Sequence, residues 1–329
     1  MIRQARRADL LPRLGSLLSD AAVEIPPFAQ VHFTAAQTFA EAQQQEMRRE
    51  VKHLNAALYD LRLPLILLKG GAYLAAGLPP APGRVFNDLD ILVPRERLAE
   101  VESALALAGW HTTHHSEYDQ RYYREWMHEL PPLVHVRRLS TVDVHHSILP
   151  LTARSRPDAR KLLAAVVPAA HLEGVHVLAP EDMVIHAMTH LFHNEELSHG
   201  LRDLSDLDLL MRHFGAGHGF WQRLFERALE LKLGRPTAYG VLAAHRLLCT
   251  PVPQSALLEA QALGPRGLAR PCMNVLWNRG LSVFHPPTNG WLTGRARNFL
   301  YVRAHWLRMP PLMLARHLFF KAFIARPET

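Results

Sequence analysis

Two stretches of the chain carry the tripeptide Asp-Leu-Asp: NDLDILVP at 87–94 and SDLDLLMR at 205–212. Paired carboxylates aimed at one point suit a hard divalent cation. Magnesium in particular is held by one or two carboxylates together with waters or substrate phosphates. Whether a pair converges depends on the backbone period. The first copy has the alternation of a strand, where residues two apart share a face. Asp88 and Asp90 are therefore expected to point the same way, with Leu89 and Ile91 on the buried side. Around the second copy, Leu204, Leu207, Met211 and Phe214 recur at helical spacing. Helix residues two apart diverge by about 200°, so Asp206 and Asp208 cannot share a metal. At least one of them is expected at a helix surface, a cap or an inter-helix contact.

The surroundings of the first pair supply other parts of a phosphate site. The apolar run 63–68 reads as a buried strand ending at Gly70 and Gly71, and AYLAAGL as a short helix opening after them. Glycines there let backbone N–H groups approach a phosphate, and a helix N-terminus favours anions. Lys69 and Arg84 flank the unit and are candidates for phosphate charge, the arginine in bidentate fashion. VFNDLDILVP reads as a second strand. Further on, PPLVHVRRLSTVDVHHSI reads as two short strands joined around 138–140. In the later of these, Asp143 and His145 face one side and Val142 and Val144 the other. Placed beside the first pair, that strand completes a three-carboxylate cluster.

LLKGGAYLAAGL followed by GRVFNDLDILVP resembles the signature of the nucleotidyltransferase superfamily, the polymerase-beta-like fold. That signature is a hydrophobic residue, Gly, then Gly or Ser, and after a short helix an Asp-hydrophobic-Asp/Glu strand, with a third Asp on a later strand. More closely, the chain is similar to a bacterial group of uncharacterised nucleotidyltransferase family proteins. The matching segments are Lys69-Gly70-Gly71, Arg84, the run from Asp88 to Val93, Asp143-Val144-His145 and the helix IHAMTHLFHN. They span roughly residues 60–215, and the tail beyond 250 is unmatched. The Pro-rich loop 79–83 makes the interval between Gly71 and Asp88 longer than the compact signature.

The resemblance implies an α+β fold: a nucleotidyltransferase-type mixed β-sheet core with an N-terminal helix and a helical C-terminal domain. The corresponding division is 1–62, 63–175 and 176–329. It also implies an enzyme that uses Mg2+ or Mn2+ to transfer NMP from an NTP, ATP foremost, to the hydroxyl of an acceptor. The acceptor class stays open among a small molecule, a protein and RNA. Asp88, Asp90 and Asp143 would be the metal ligands and catalytic residues, and Gly70, Gly71, Lys69 and Arg84 would bind the nucleotide. Asp143 is also a candidate general base.

Other residues compete for a role. His186, His190 and His193 recur at i, i+4 and i+7, and histidines at i and i+4 can bind zinc. The catalytic Glu of zinc hydrolase helices is missing, because residues 187–189 are Ala, Met and Thr. Trp110, Tyr118, Tyr122, Tyr123 and Trp126 can stack a base or pack in the core. Residues 260–327 hold ten basic and no acidic side chains, which points to an anionic partner, a membrane surface or nucleic acid. The rival reading of the whole protein is a catalytically silent homologue that acts as a scaffold through this basic region.

The 329 residues are 48% hydrophobic, enough for about two domains with real cores. The composition is not that of a disordered chain. No apolar run is long enough to span a membrane, and the basic N-terminus lacks the apolar stretch of a secretory signal. Cys249 and Cys272 lack metal-type spacing. A reduced cytoplasmic protein, with peripheral membrane contact as an option, is therefore expected.

Overall fold

The computed structural model describes residues 1–113, 116–283 and 290–315. The chain begins with three helices, α1 (Ile2–Arg7), α2 (Leu11–Asp20) and the long α3 (Pro27–Leu58). Then come β1 (Leu65–Leu67), α4 (Lys69–Ala75), β2 (Leu89–Leu92), α5 (Leu98–Leu107), β3 (Trp110–Thr112) and α6 (Glu117–Arg121). A π-helical turn at Tyr122–Trp126 leads to β4 (Leu133–His135) and β5 (Thr141–His145). After α7 (Ala159–Leu163), β6 (Val167–Pro168) and β7 (Val175–Val177), the described residues are mostly helical. Its elements are α8 (Pro180–His193), α9 (Gly200–Phe214), α10 (Phe220–Glu230), α11 (Gly234–Leu248), α12 (Gln254–Leu263), α13 (Ala269–Gly280) and α14 (Trp291–Arg308).

Among the described residues seven strands form one mixed sheet in the order β3-β4-β5-β2-β1-β7-β6. β2 lies at its centre, antiparallel to β1 and parallel to β5. All four β2 positions are buried, as expected of a strand covered on both faces. The core is continuous from Val51 and Leu54 on α3, through β1, β2 and β5, to α8, α9 and α11. Burying an aliphatic side chain of this kind contributes about 1.5–3 kcal/mol, so strand placement is strongly specified where the chemistry sits. Glu50, buried on α3, holds Arg138 and Ser140 in the turn between β4 and β5 at 2.7–2.8 Å. That contact ties the long helix to the strand carrying Asp143.

The α+β class and the mixed sheet agree with the sequence expectation. Two boundaries differ. The expected strand 85–94 shortens to Leu89–Leu92, so Asp88 stands just before β2. The short helix begins at Lys69 rather than after the glycines. The left-handed residue of this bend is Lys69, with φ +45°, and neither glycine has positive φ. Among the described residues no helix is long and apolar enough to cross a membrane.

Candidate active site

The parallel register of β2 and β5 sets Asp90 opposite Asp143 and Leu92 opposite His145. Side chains at paired positions share a face, so the two carboxylates come from adjacent strands to one side of the sheet. The opposite face carries Leu89, Ile91, Val142 and Val144, all fully buried. One ligand atom each from Asp90, Asp143 and His145 lies within 4.8 Å of the others. Asp88 is outside that trio. It lines the same cleft as Asp90, together with Lys69, Gly70, Arg84, His190 and Arg202. The cleft holds about 210 Å³.

Lys69 Nζ donates to Asp90 Oδ1 at 2.6 Å, and His145 Nε2 lies 2.8 Å from the same oxygen. A left-handed non-glycine residue costs of order 1–3 kcal/mol and persists where its surroundings over-determine it. Here the ion pair with Asp90 holds the lysine side chain that this backbone presents.

The charges of the cluster are strongly coupled. Burial raises the Asp90 pKa, but Lys69 and His145 reverse this and hold it well below the usual carboxylate range. Asp143 has no hydrogen bond to a cation among the described residues, and the pull of His145 is outweighed. Burial and the charges of Asp90, Glu129 and Asp88 push it up to about 7. Its Oδ1 is shielded from solvent and has no hydrogen-bond partner among the described residues. Asp88 is also raised, by burial and by Asp90. Burial lowers the Lys69 pKa, but Asp90 and Asp88 more than reverse this and leave it above its ordinary value. An acidic group with one orphaned oxygen and mutual repulsion is a donor set that fits a divalent cation.

The glycines work by close approach. A Cβ on Gly70 would stand 2.6 Å from Arg84 Nη1 and 3.1 Å from Phe86. One on Gly71 would stand 3.1 Å from Leu89 on β2. Gly71 thus lets α4 lie on the central strand, and Gly70 leaves room for the Arg84 guanidinium at the cleft wall. Arg84 is buried, donates from Nε to Asp206 Oδ2 at 2.9 Å, and lies against the Tyr73 and Phe86 rings. Asp206 Oδ1 accepts from Arg13 Nη2 at 2.7 Å, and Arg13 also donates to the Pro80 carbonyl and Ser205 Oγ. The Pro-rich loop 79–83 is therefore pinned to α2 and α9. Burial raises the Asp206 pKa, while Arg84 and Arg13 outweigh it and leave it low.

Several sequence candidates land elsewhere. His186, His190 and His193 do not gather into a metal-holding group among the described residues. His193 Nδ1 lies 3.2 Å from the Thr189 carbonyl, and burial pushes His186 down to about 3. His190 does line the cleft. Trp110 is core, edge-on to His135 and capped by Arg138. Tyr118 and Tyr122 meet Trp126 edge-to-face in a half-exposed cluster. Glu129, close to His145, was not singled out by sequence. It sits in an irregular stretch with no periodicity to mark it. Arg202 and Asp203 also line the cleft, and only the helical phase of Leu204 and Leu207 bears on their direction.

The fold and this carboxylate cleft on its central strands have the character of a nucleotidyl-transfer protein. The model of a family described as uncharacterised nucleotidyltransferase matches residues 1–249, and the chain belongs to that family. The match extends beyond the roughly 60–215 segment legible in the motifs and takes in α1 to α3. No curated protein and no solved structure matches the chain.

Proposed function

We propose that the protein transfers NMP from an NTP, ATP foremost, to a hydroxyl of an acceptor, with Mg2+ or Mn2+ as cofactor. The observation that carries this reading is the in-register pairing of Asp90 with Asp143, whose Oδ1 is left without a partner. Asp88, Asp90 and Asp143 would hold the cation. When bound, it would neutralise phosphate charge and acidify a nearby hydroxyl. The acceptor oxygen attacks the α-phosphorus, the bond to the bridging oxygen breaks, and pyrophosphate leaves with that electron pair. Asp143 would also take the hydroxyl proton as general base. Lys69 and the first-turn N–H groups at Gly70 and Gly71 would face the triphosphate, and Arg84 would present its remaining N–H edge. A cleft of about 210 Å³ is smaller than the roughly 300–1,000 Å³ that encloses a drug-sized ligand, so base and acceptor would extend beyond it.

In this reading residues 63–175 carry the chemistry, 1–62 brace the sheet, and α8 and α9, at the start of the helical part 176–329, supply the opposite wall. The setting is cytoplasmic, where NTPs are abundant. The decisive assay incubates the protein with each α-labelled NTP, Mg2+ or Mn2+ and a cell lysate. Label is expected on an acceptor and is expected to vanish with Asp88→Ala. No transfer from any NTP favours the scaffold reading.

That second reading, and an anionic partner in either case, is supported by α14. The helix buries Thr293, Ala296, Leu300 and Ala304 and exposes Trp291, Leu292, Phe299, Val302 and Trp306. Arg295 covers the Trp291 ring and Arg154 the Trp306 ring. Apolar and aromatic residues interleaved with arginine suit a membrane surface or nucleic acid. Arg303 and Arg308 are engaged internally, on the Phe192 carbonyl and on Glu195. Arg316, Lys321 and Arg326 lie outside the described residues. Binding to anionic vesicles or RNA should weaken with salt, and salt-insensitive binding or none removes the anionic partner.

A further inference from the structure

A second polar cluster lies on the side of the His145 ring away from Asp90. Glu129 bridges to His145 through an isolated antiparallel backbone pairing, which brings its side chain beside that ring. Glu129 Oε2 is 3.2 Å from His145 Nδ1 and 3.8 Å from His128 Nε2. The two imidazoles are buried, with centroids 5.3 Å apart. His145 Nδ1 is shielded from solvent and lacks a hydrogen-bond partner among the described residues. The Glu129 oxygen is close but off-line for a hydrogen bond. One ligand atom from each of the three residues lies within 4.8 Å of the others.

We propose that His128, Glu129 and His145 form a second cation site, for a zinc-class ion, next to the carboxylate site. Two imidazole nitrogens and one carboxylate oxygen are a zinc donor set that leaves a fourth position open. Magnesium prefers oxygen ligands alone. Bonds of about 2.0–2.1 Å to a tetrahedral ion place the donor atoms about 3.4 Å apart. The observed 3.2 and 3.8 Å separations bracket that value.

The other ring nitrogen supports the same assignment. A ligating histidine commonly donates its second N–H to a carboxylate, which fixes tautomer and ring orientation. His145 Nε2 lies 2.8 Å from Asp90 Oδ1. Zinc on Nδ1 would therefore keep the proton on Nε2 and tie Asp90 in place, making the second site a positioning element for the first. The competing arrangement has no cation, with a protonated His145 held between Asp90 and Glu129. The proposal does not depend on nucleotidyl transfer.

The test uses the full-length protein, stripped of metal and titrated with Zn2+ against a chromophoric chelator. X-ray absorption at the zinc edge and circular dichroism of each variant accompany the titration. The expected result is one tight zinc per chain with a nitrogen and oxygen shell. Glu129→Gln, which keeps the side-chain shape, and His128→Gln should each weaken binding at least tenfold, and Asp143→Asn should leave it within twofold. If His128→Gln fails to fold, Glu129→Gln decides alone. Zinc affinity unchanged in folded Glu129→Gln overturns the site. So does affinity lost with Asp143→Asn but kept in Glu129→Gln, which would put the ion on the carboxylates.

Discussion

The two Asp-Leu-Asp stretches have the same side chains and opposite fates. In the first, Asp90 lies on a central strand, faces Asp143 across a parallel pair, and shares a cleft with Asp88. In the second, the same tripeptide lies on α9, and its two carboxylates diverge. Asp206 turns inward to Arg84 and Arg13, and Asp208 turns to Arg212 and Thr250. A period of two gathers charge, which the proposed cation would offset. A period of 3.6 separates it, so each carboxylate finds its own partner. The second pair still serves the first, because Asp206 holds the arginine that walls the cleft.

Substitutions in the two stretches should separate these roles. The largest effect is expected for Asp143→Asn. Losing a positioned acid–base group costs typically 10²–10⁴ in rate, so transfer should fall by roughly 10³-fold. Melting temperature should hold or rise, because this carboxylate is repelled by its neighbours in the metal-free state. Coincident loss of activity and fold would erase the contrast.

Next is Asp206→Ala, which strands two buried arginines. Removing one partner of such a pair costs about 3–5 kcal/mol, read by urea denaturation. A loss below about 1 kcal/mol would show that the network does not brace the cleft.

Acid should act through the buried helix α8. Burial holds His186 down at about 3 and His193 at about 4, against 6.5 in the unfolded chain. Between those values the unfolded state binds more protons, so the contribution of these two histidines is full above about pH 6.5 and is lost as pH drops toward 3–4. The slope is about 1.4 kcal/mol per pH unit for each histidine. His193→Gln should flatten the curve, and an unchanged slope would place the titration elsewhere.

The smallest effect belongs to Asp208→Asn. Asn keeps the oxygen that accepts from Thr250, and the pair lost with the half-exposed Arg212 is of a kind that contributes about 0.2–1 kcal/mol. A change above about 2 kcal/mol would mean that the second stretch is less divided than its helix implies.

Much of this contrast was legible in the residues. Alternation around Asp90 and helical spacing around Asp206 gave opposite directions without a structure. The pattern of Val142 and Val144 put Asp143 and His145 on one face. Register was not legible, because the pairing of Asp90 with Asp143 depends on a parallel crossover between strands about fifty residues apart. Local spacing also missed that Asp206 closes onto Arg84 and Arg13, 122 and 193 residues away. Glu129 was hidden because an isolated bridge outside the regular strands, with no repeating pattern, brings it to His145. The glycine pair was visible, but its reason was not. The bend strains Lys69, and the glycines make room for Arg84 and Leu89.

The central claim is that the first stretch, with Asp143, makes a cation site and the second does not. Electron paramagnetic resonance of Mn2+ titrated with ATP into the full-length protein tests it most directly. Protein-bound manganese should appear with wild type and Asp208→Asn, and weaken at least tenfold with Asp90→Asn and with Asp143→Asn. Equal manganese binding in all four proteins, or loss with Asp208→Asn alone, would contradict it.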